Sequence, residues 1–163
     1  MRKRKIIVAL IALLLCGCGA EETMETVADE IVVPALAQMR SIYVELPSET
    51  ASPAVESGAD RLYQCETYDI RVQTLSAGDF NSTVRSLSGY DANHLTVMHS
   101  IRDGFDCYEF VWASAGESGD QVGRAMVLSD GSYHYCVSVL GDADYAAENQ
   151  VYWQCLFDSV VLG

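Results

Sequence analysis

The amino-acid sequence predicts an α+β domain. An antiparallel β-sheet, built from a four-strand meander plus a preceding strand, packs with a short helix and a C-terminal helix. Three observations predict it. Apolar and polar residues alternate in five stretches between Tyr68 and Leu140, the pattern of half-buried strands. Turn dipeptides, Asp103-Gly104 and Asp130-Gly131, sit between those stretches, where a hairpin needs residues that tolerate φ > 0. Two other stretches repeat their apolar residues at helical spacing.

Each element has its own warrant. Tyr68-Asp69-Ile70-Arg71-Val72 alternates and forms the first strand. Ser76-Ala77-Gly78-Asp79 has the Ser-x-x-Asp form of a helix start, and Phe80, Val84 and Leu87 follow at i, i+4 and i+7. Gly89 suits the position just past a helix end, since it accepts φ > 0. The expected helix therefore spans 77–88. His94–Ile101 sets Leu95, Val97, His99 and Ile101 against Thr96, Met98 and Ser100. Phe105–Ala113 sets Tyr108, Phe110 and Trp112 against Cys107, Glu109 and Val111. Val122–Ser129 follows, and Tyr133–Leu140 returns with Tyr133, Tyr135, Val137 and Val139 on one face. His134, Cys136 and Ser138 share the other. Asp144–Val161 is the expected final helix, with Trp153, Leu156, Phe157 and Val160 as its sheet-facing stripe.

The chain divides into residues 1–17, 18–59 and 60–163. In the middle part, Met24, Val27 and Ile31 share one helical face, and Leu36, Met39 and Tyr43 form a second stripe beyond Pro34. Residues 46–59, LPSETASPAVESGA, read as a flexible linker, because Pro, Ser and Glu leave little to bury. The middle part is thus an acidic, partly helical tether followed by a linker. The folded domain is expected to begin near Asp60.

The N-terminus opens with Arg2, Lys3, Arg4 and Lys5, and continues with ten apolar residues from Ile6 to Leu15. A membrane-spanning helix needs about 20 such residues, whereas a secretory signal uses roughly 7–15. Leu15-Cys16-Gly17-Cys18 closes the run. This stretch resembles the lipobox of bacterial lipoproteins: an aliphatic residue, a variable one, a small one, then cysteine. The resemblance covers residues 1–18 and implies that 1–17 are a signal peptide. It also implies that Cys18 becomes the diacylglycerated first residue of the mature chain. Two acyl chains suffice for stable anchoring, so the implied location is the extracytoplasmic side of a bacterial membrane.

Four of the ten basic residues precede Cys18, which leaves six arginines against 23 acidic residues, a mature net charge of −17. Such a surface repels phosphate backbones and anionic headgroups. Nucleic acid is therefore excluded as a partner, and the lipid on Cys18 is the expected membrane contact. Another envelope protein is the remaining expected partner.

From residue 60 onward the order is strand, helix, antiparallel meander, helix. This order resembles the PsbP-like fold, found in extrinsic photosystem subunits and several bacterial lipoproteins. The resemblance implies a binding or assembly module with no active site of its own.

Four cysteines lie in the domain: Cys65, Cys107, Cys136 and Cys155. An even number outside the cytoplasm suggests two disulfides, and four cysteines allow three pairings. Residue polarity puts Cys107 and Cys136 on the same face, with one strand between theirs. Two strand spacings of roughly 4.8 Å exceed the ~7 Å Cα limit for a disulfide. The favoured pairing is Cys65–Cys107 with Cys136–Cys155. It requires the last helix to cover the Cys136 side.

No stretch reads as a catalytic motif. The histidines His94, His99 and His134 have no metal spacing, no G-x-S-x-G surrounds a serine, and no CxxC is present. No metal or cofactor is expected. His134, flanked by Tyr133 and Tyr135, reads as a surface histidine, and His134 with Tyr133 is the candidate ligand contact. His99 reads as a core or rim histidine. The expected function is a surface-anchored binding or assembly module recognising its partner through exposed aromatics such as Tyr63, Tyr90 or Tyr133. The alternative is an extracytoplasmic hydrolase using His134 or His99 with a carboxylate, which requires a concave site where the two meet.

Overall fold

Seven strands form the main sheet, and two helices lie on its opposite faces. The structure is a computed structural model describing residues 38–48, 50, 52–116 and 119–163. The signal segment, Cys18 and the expected helix around Met24, Val27 and Ile31 lie outside the described residues. The strands are β1 (Ile42–Tyr43), β2 (Val55–Ser57), β3 (Asp60–Gln64), β4 (Tyr68–Ser76), β5 (Val97–Arg102), β6 (Phe105–Gly116), β7 (Gly119–Ser129), β8 (Tyr133–Asp142) and β9 (Val161–Leu162). Among the described residues the α-helices are α1 (Phe80–Ser88) and α2 (Ala146–Asp158). The main sheet runs β2-β3-β4-β8-β7-β6-β5, with every neighbouring pair antiparallel.

Helix α1 starts at Phe80 rather than residue 77, because Asp79 is its cap: the Asp79 carboxylate accepts from the Asn81 amide at 3.3 Å. Gly89 ends the helix at φ 79°. Its apolar stripe sits on the sheet face carrying Phe110, Trp112, Ala125, Val127 and Cys136. Helix α2 brings Trp153, Leu156 and Phe157 onto the other face, against Tyr68, Ile70, Tyr135, Val137 and Val139. The Asp103-Gly104 turn has both residues at positive φ (52° and 84°), as a two-residue hairpin loop of mirror-image type requires.

Four expectations are corrected. First, the folded unit does not begin at Asp60: the described residues all belong to one unit spanning 36–163. Ile42–Tyr43 is a strand, not a helix. It pairs with β9, and Ser41 and Gly163 exchange backbone hydrogen bonds of 3.2 and 3.0 Å. Ile42 is buried in the core, and that burial outweighs the helical spacing of Met39 and Tyr43. Second, the expected linker is held to the domain. Leu46 packs on the core, Thr50 is buried with its hydroxyl donating to the Pro47 carbonyl at 2.7 Å, and Val55–Ser57 pairs with β3. Third, the chain leaves α2 at Asp158 and ends in strand β9, so residues 159–161 are not helical. Fourth, His94 lies in a 3₁₀ turn (Ala92–His94), and β5 starts only at Val97.

The cysteine geometry is also corrected. The register Cys107↔Leu128↔Tyr135 puts Cys107 on the α2 face. Cys136 opposes Val127 and faces α1. The two share no face, and Cys155, exposed on α2, is across the sheet from Cys136. Cys65, in the turn after β3, is separated from β6 by three intervening strands. Neither favoured pair can form, and no disulfide joins these cysteines among the described residues. Burial raises the Cys107 thiol, despite a hydrogen bond from Ser100, and pushes Cys136 up to about 12, so both are poor nucleophiles.

Candidate functional site: a cleft beside helix α2

Helix α2 is narrower than the sheet it covers. It lies over β4 and β8 and leaves the β5–β6 end of its face open. Alternation puts Met98 of β5, Glu109 and Val111 of β6, and Val122 and Arg124 of β7 on that face. Met98 and Val111 remain 61% and 58% exposed. At the near wall, the first turn of α2 presents Ala146 and Ala147, too small to reach across, followed by Gln150 and Trp153. The result is a cleft of about 480 Å³, within the ~300–1,000 Å³ range of ligand sites.

The wall is largely apolar and the polar groups converge at the floor. Arg124 donates to the Glu109 carboxylate at 2.8 Å and to the Gln154 side-chain oxygen at 3.0 Å. Its guanidinium carbon stands 4.6 Å from the centre of the Phe157 ring, a cation–π contact. The arginine is thus oriented by three partners and keeps further N–H donors uncommitted. The Trp153 indole N–H is buried with no hydrogen-bond partner among the described residues. A buried unmet donor is costly and unusual enough to mark the spot. This arrangement can hold an apolar body and orient it through hydrogen bonds.

A second, polar depression of about 370 Å³ lies at the C-terminal end of β8, lined by Glu66, Asp69, Asp142 and Tyr145 among others. Burial raises the Asp69 carboxyl. Three acids without a cation make it a poor site for an anion, and its shallowness gives a ligand little to bury.

The residues singled out by the sequence are dispersed. His134 is buried, not on the surface: its Nδ1 lies 2.8 Å from the Thr83 hydroxyl and its ring meets Phe80 edge-on at 6.0 Å. Burial lowers its pKa, opposed by the charge of Asp130. Tyr133 is half-buried against the opposite core, so these neighbours in sequence face different helices. Tyr63 is buried, and Tyr90 is spent on a 2.8 Å bond to the Ala113 carbonyl. His99 is no core histidine. It stands 52% exposed on β5, stacked on Tyr108 at 4.8 Å, with Nε2 2.8 Å from the Asp106 carboxylate. That is a histidine–carboxylate pair, but it lies in the open and neither residue lines the clefts described above. Among the described residues no group of three or more His, Cys, Asp or Glu side chains could hold a metal ion.

Sequence reading missed the cleft. Met98 and Val111 were visible as apolar residues on the more polar faces of their strands, and Ala146-Ala147 as a small pair opening a helix. Those were the available signals.

No family model matches the chain, and no curated protein matches it. Among solved structures, the solution structure of cyanobacterial PsbP (CyanoP) from Synechocystis sp. PCC 6803 is similar to this chain at 9% identity and a TM-score of 0.49. The similarity covers 79% of this chain and 96% of that one.

Proposed function

We propose that this protein is an extracytoplasmic lipoprotein, anchored through Cys18, that works as a binding or assembly module with the α2 cleft as its binding site. The observation that carries the binding role is the cleft itself: about 480 Å³, apolar-walled, with Arg124 held in place at its floor. The lipid anchor is supported by the Leu15-Cys16-Gly17-Cys18 stretch. The hydrolase alternative finds no support at the cleft, which contains no histidine, and neither His99 nor Asp106 lines the clefts described above.

Two experiments test this reading. Titration with the apolar anionic dye anilinonaphthalene sulfonate should give saturable fluorescence. Val111→Trp, filling the cleft from an exposed position, should weaken that binding about tenfold or more at unchanged thermal stability. Equal binding by the variant would remove the cleft as the site. In cells, Cys18→Ser should release the protein from the detergent phase; retention as tight as wild type would sink the anchor.

A further inference from the structure

The two edges of the main sheet are built differently. Edge strand β2 has three residues, follows Pro53 closely and runs into a Gly58 turn. Short length and a nearby proline are usual ways of blunting an edge against added strands. Edge strand β5, VMHSIR, has six residues and neither proline nor lysine. It exposes Met98 (61%) and Ile101 (65%). Among the described residues its outer side has no strand partner.

The register says which backbone groups face outward. Arg102 and Phe105 flank the two-residue turn and so form a hydrogen-bonded pair. Pairs alternate along an antiparallel ladder. Ser100 and Met98 therefore bond to β6, while the amides and carbonyls of Val97, His99 and Ile101 point away from it.

Charge at this end is also one-sided. Arg102 turns inward, donating to the Phe157 carbonyl at 2.7 Å and to that of Asp158. Arg124 turns inward to Glu109 and Gln154. Asp103 and Asp106, the latter already beside His99 Nε2 at 2.8 Å, stay exposed beside the edge. A second copy of the chain, at a formal net charge of −13, would bring acid against acid.

We propose that β5 receives an extended segment of a partner protein, one that alternates basic and apolar residues and adds to the sheet as an eighth strand. This rests on the binding-module reading and names the partner of the same site. Backbone hydrogen bonds to Val97, His99 and Ile101 supply affinity. The segment's apolar side chains on the α2 face pack against Met98 at the rim of the cleft, and its lysines or arginines meet Asp103 and Asp106.

The probe is a labelled heptapeptide of alternating lysine and leucine, titrated into the intact chain. Three results are expected. The peptide binds saturably; amide exchange at Val97, His99 and Ile101 slows about tenfold or more on binding; and a glutamate-for-lysine peptide binds at least about tenfold more weakly. His99→Pro removes one outward donor without touching the ladder, together with the side chain that pairs with Asp106 and stacks on Tyr108, and should abolish binding. A peptide N-methylated on alternate residues tests the same bonds with the protein unchanged. Binding that survives both modifications, or that leaves the three amides unprotected, overturns the proposal. So does a concentration-dependent dimer abolished by His99→Pro, which would assign the edge to a second copy. Failure of the peptide with dye binding intact rejects strand addition alone, whereas failure of both rejects the binding-module reading as well.

Discussion

Strands β8 and β5 both alternate in sequence, and they end in opposite circumstances. In β8, Tyr135, Val137 and Val139 face α2 while His134, Cys136 and Ser138 face α1, and all six are buried. In β5 the four residues from Met98 to Ile101 are all exposed. The difference is position. Strand β8 sits between β4 and β7 under both helices, and β5 is an edge whose residues from Met98 to Ile101 neither helix covers. Alternation reports that a strand has two faces; it does not report how many of them are covered. The stability of this protein is therefore concentrated at the centre of the sheet, and the proposed recognition surface lies at one end.

The largest expected break in that contrast is Phe157→Ala. Phe157 is fully buried at the centre and also carries the cation–π contact with Arg124. Truncating it should cost about 3–5 kcal/mol. The matching edge substitution, Ile101→Ser, should stay within about 0.5 kcal/mol. Chemical denaturation of both variants checks the pair, and comparable losses would contradict the division into centre and edge.

Gly123→Ala sharpens the comparison at the middle of β7. A methyl group there would overlap the indole carbons of Trp112. Trp112 is buried and its ring cannot bend aside, so the substitution should cost about 1–3 kcal/mol by overpacking. The measurement is the denaturant midpoint, and a neutral result would mean the indole has room to shift.

The smallest expected effect concerns pH. Burial depresses the pKa of His134 below its ordinary value, with Asp130 opposing. The unfolded chain then binds a proton that the folded chain resists, once pH falls below the unfolded value of about 6.5. Stability from this group is complete above that pH and declines as pH falls through it toward the lowered folded value. His134→Gln, which keeps a polar partner for Thr83, should flatten that part of the stability–pH curve. An unchanged slope would place the dependence elsewhere.

Asp130 shows how a local turn signal grew into something longer-ranged. Asp130-Gly131 is legible as a turn, and Gly131 adopts φ 86°. The Asp130 carboxylate accepts from the Ser132 and Tyr133 amides at 2.8 Å each, as a turn aspartate does. It also accepts from the Tyr135 hydroxyl at 2.7 Å, and that hydroxyl accepts from the Arg40 amide at 3.0 Å. Burial alone would raise this carboxyl; the three hydrogen bonds and the Arg40 charge carry it below the usual range. The same side chain thus ties the β7–β8 turn to the N-terminal end of the described chain, ninety-five residues from Tyr135.

The sequence by itself determined what depends on near neighbours. Alternation along β4, β6, β7 and β8, the Asp103-Gly104 and Asp130-Gly131 turns, the α1 stripe and its Gly89 stop all follow from side-chain period and backbone sterics within a few residues. Tertiary structure decided what depends on register and cover. Polarity suggested that Cys107 and Cys136 share a face, but both faces are covered, so polarity loses its meaning and only the pairing Cys107↔Leu128↔Tyr135 says otherwise. Leu36, Met39 and Tyr43 looked like a helical stripe, and 46–59 like a linker for its Pro, Ser and Glu; strand partners at Leu162 and Leu62, far away or across a turn, made Ile42–Tyr43 and Val55–Ser57 part of the domain. The cleft is the clearest case. It exists because α2 opens with two alanines and leaves Met98 of β5 and Val111 of β6 uncovered, a mismatch of widths between two elements that no single stretch of sequence contains.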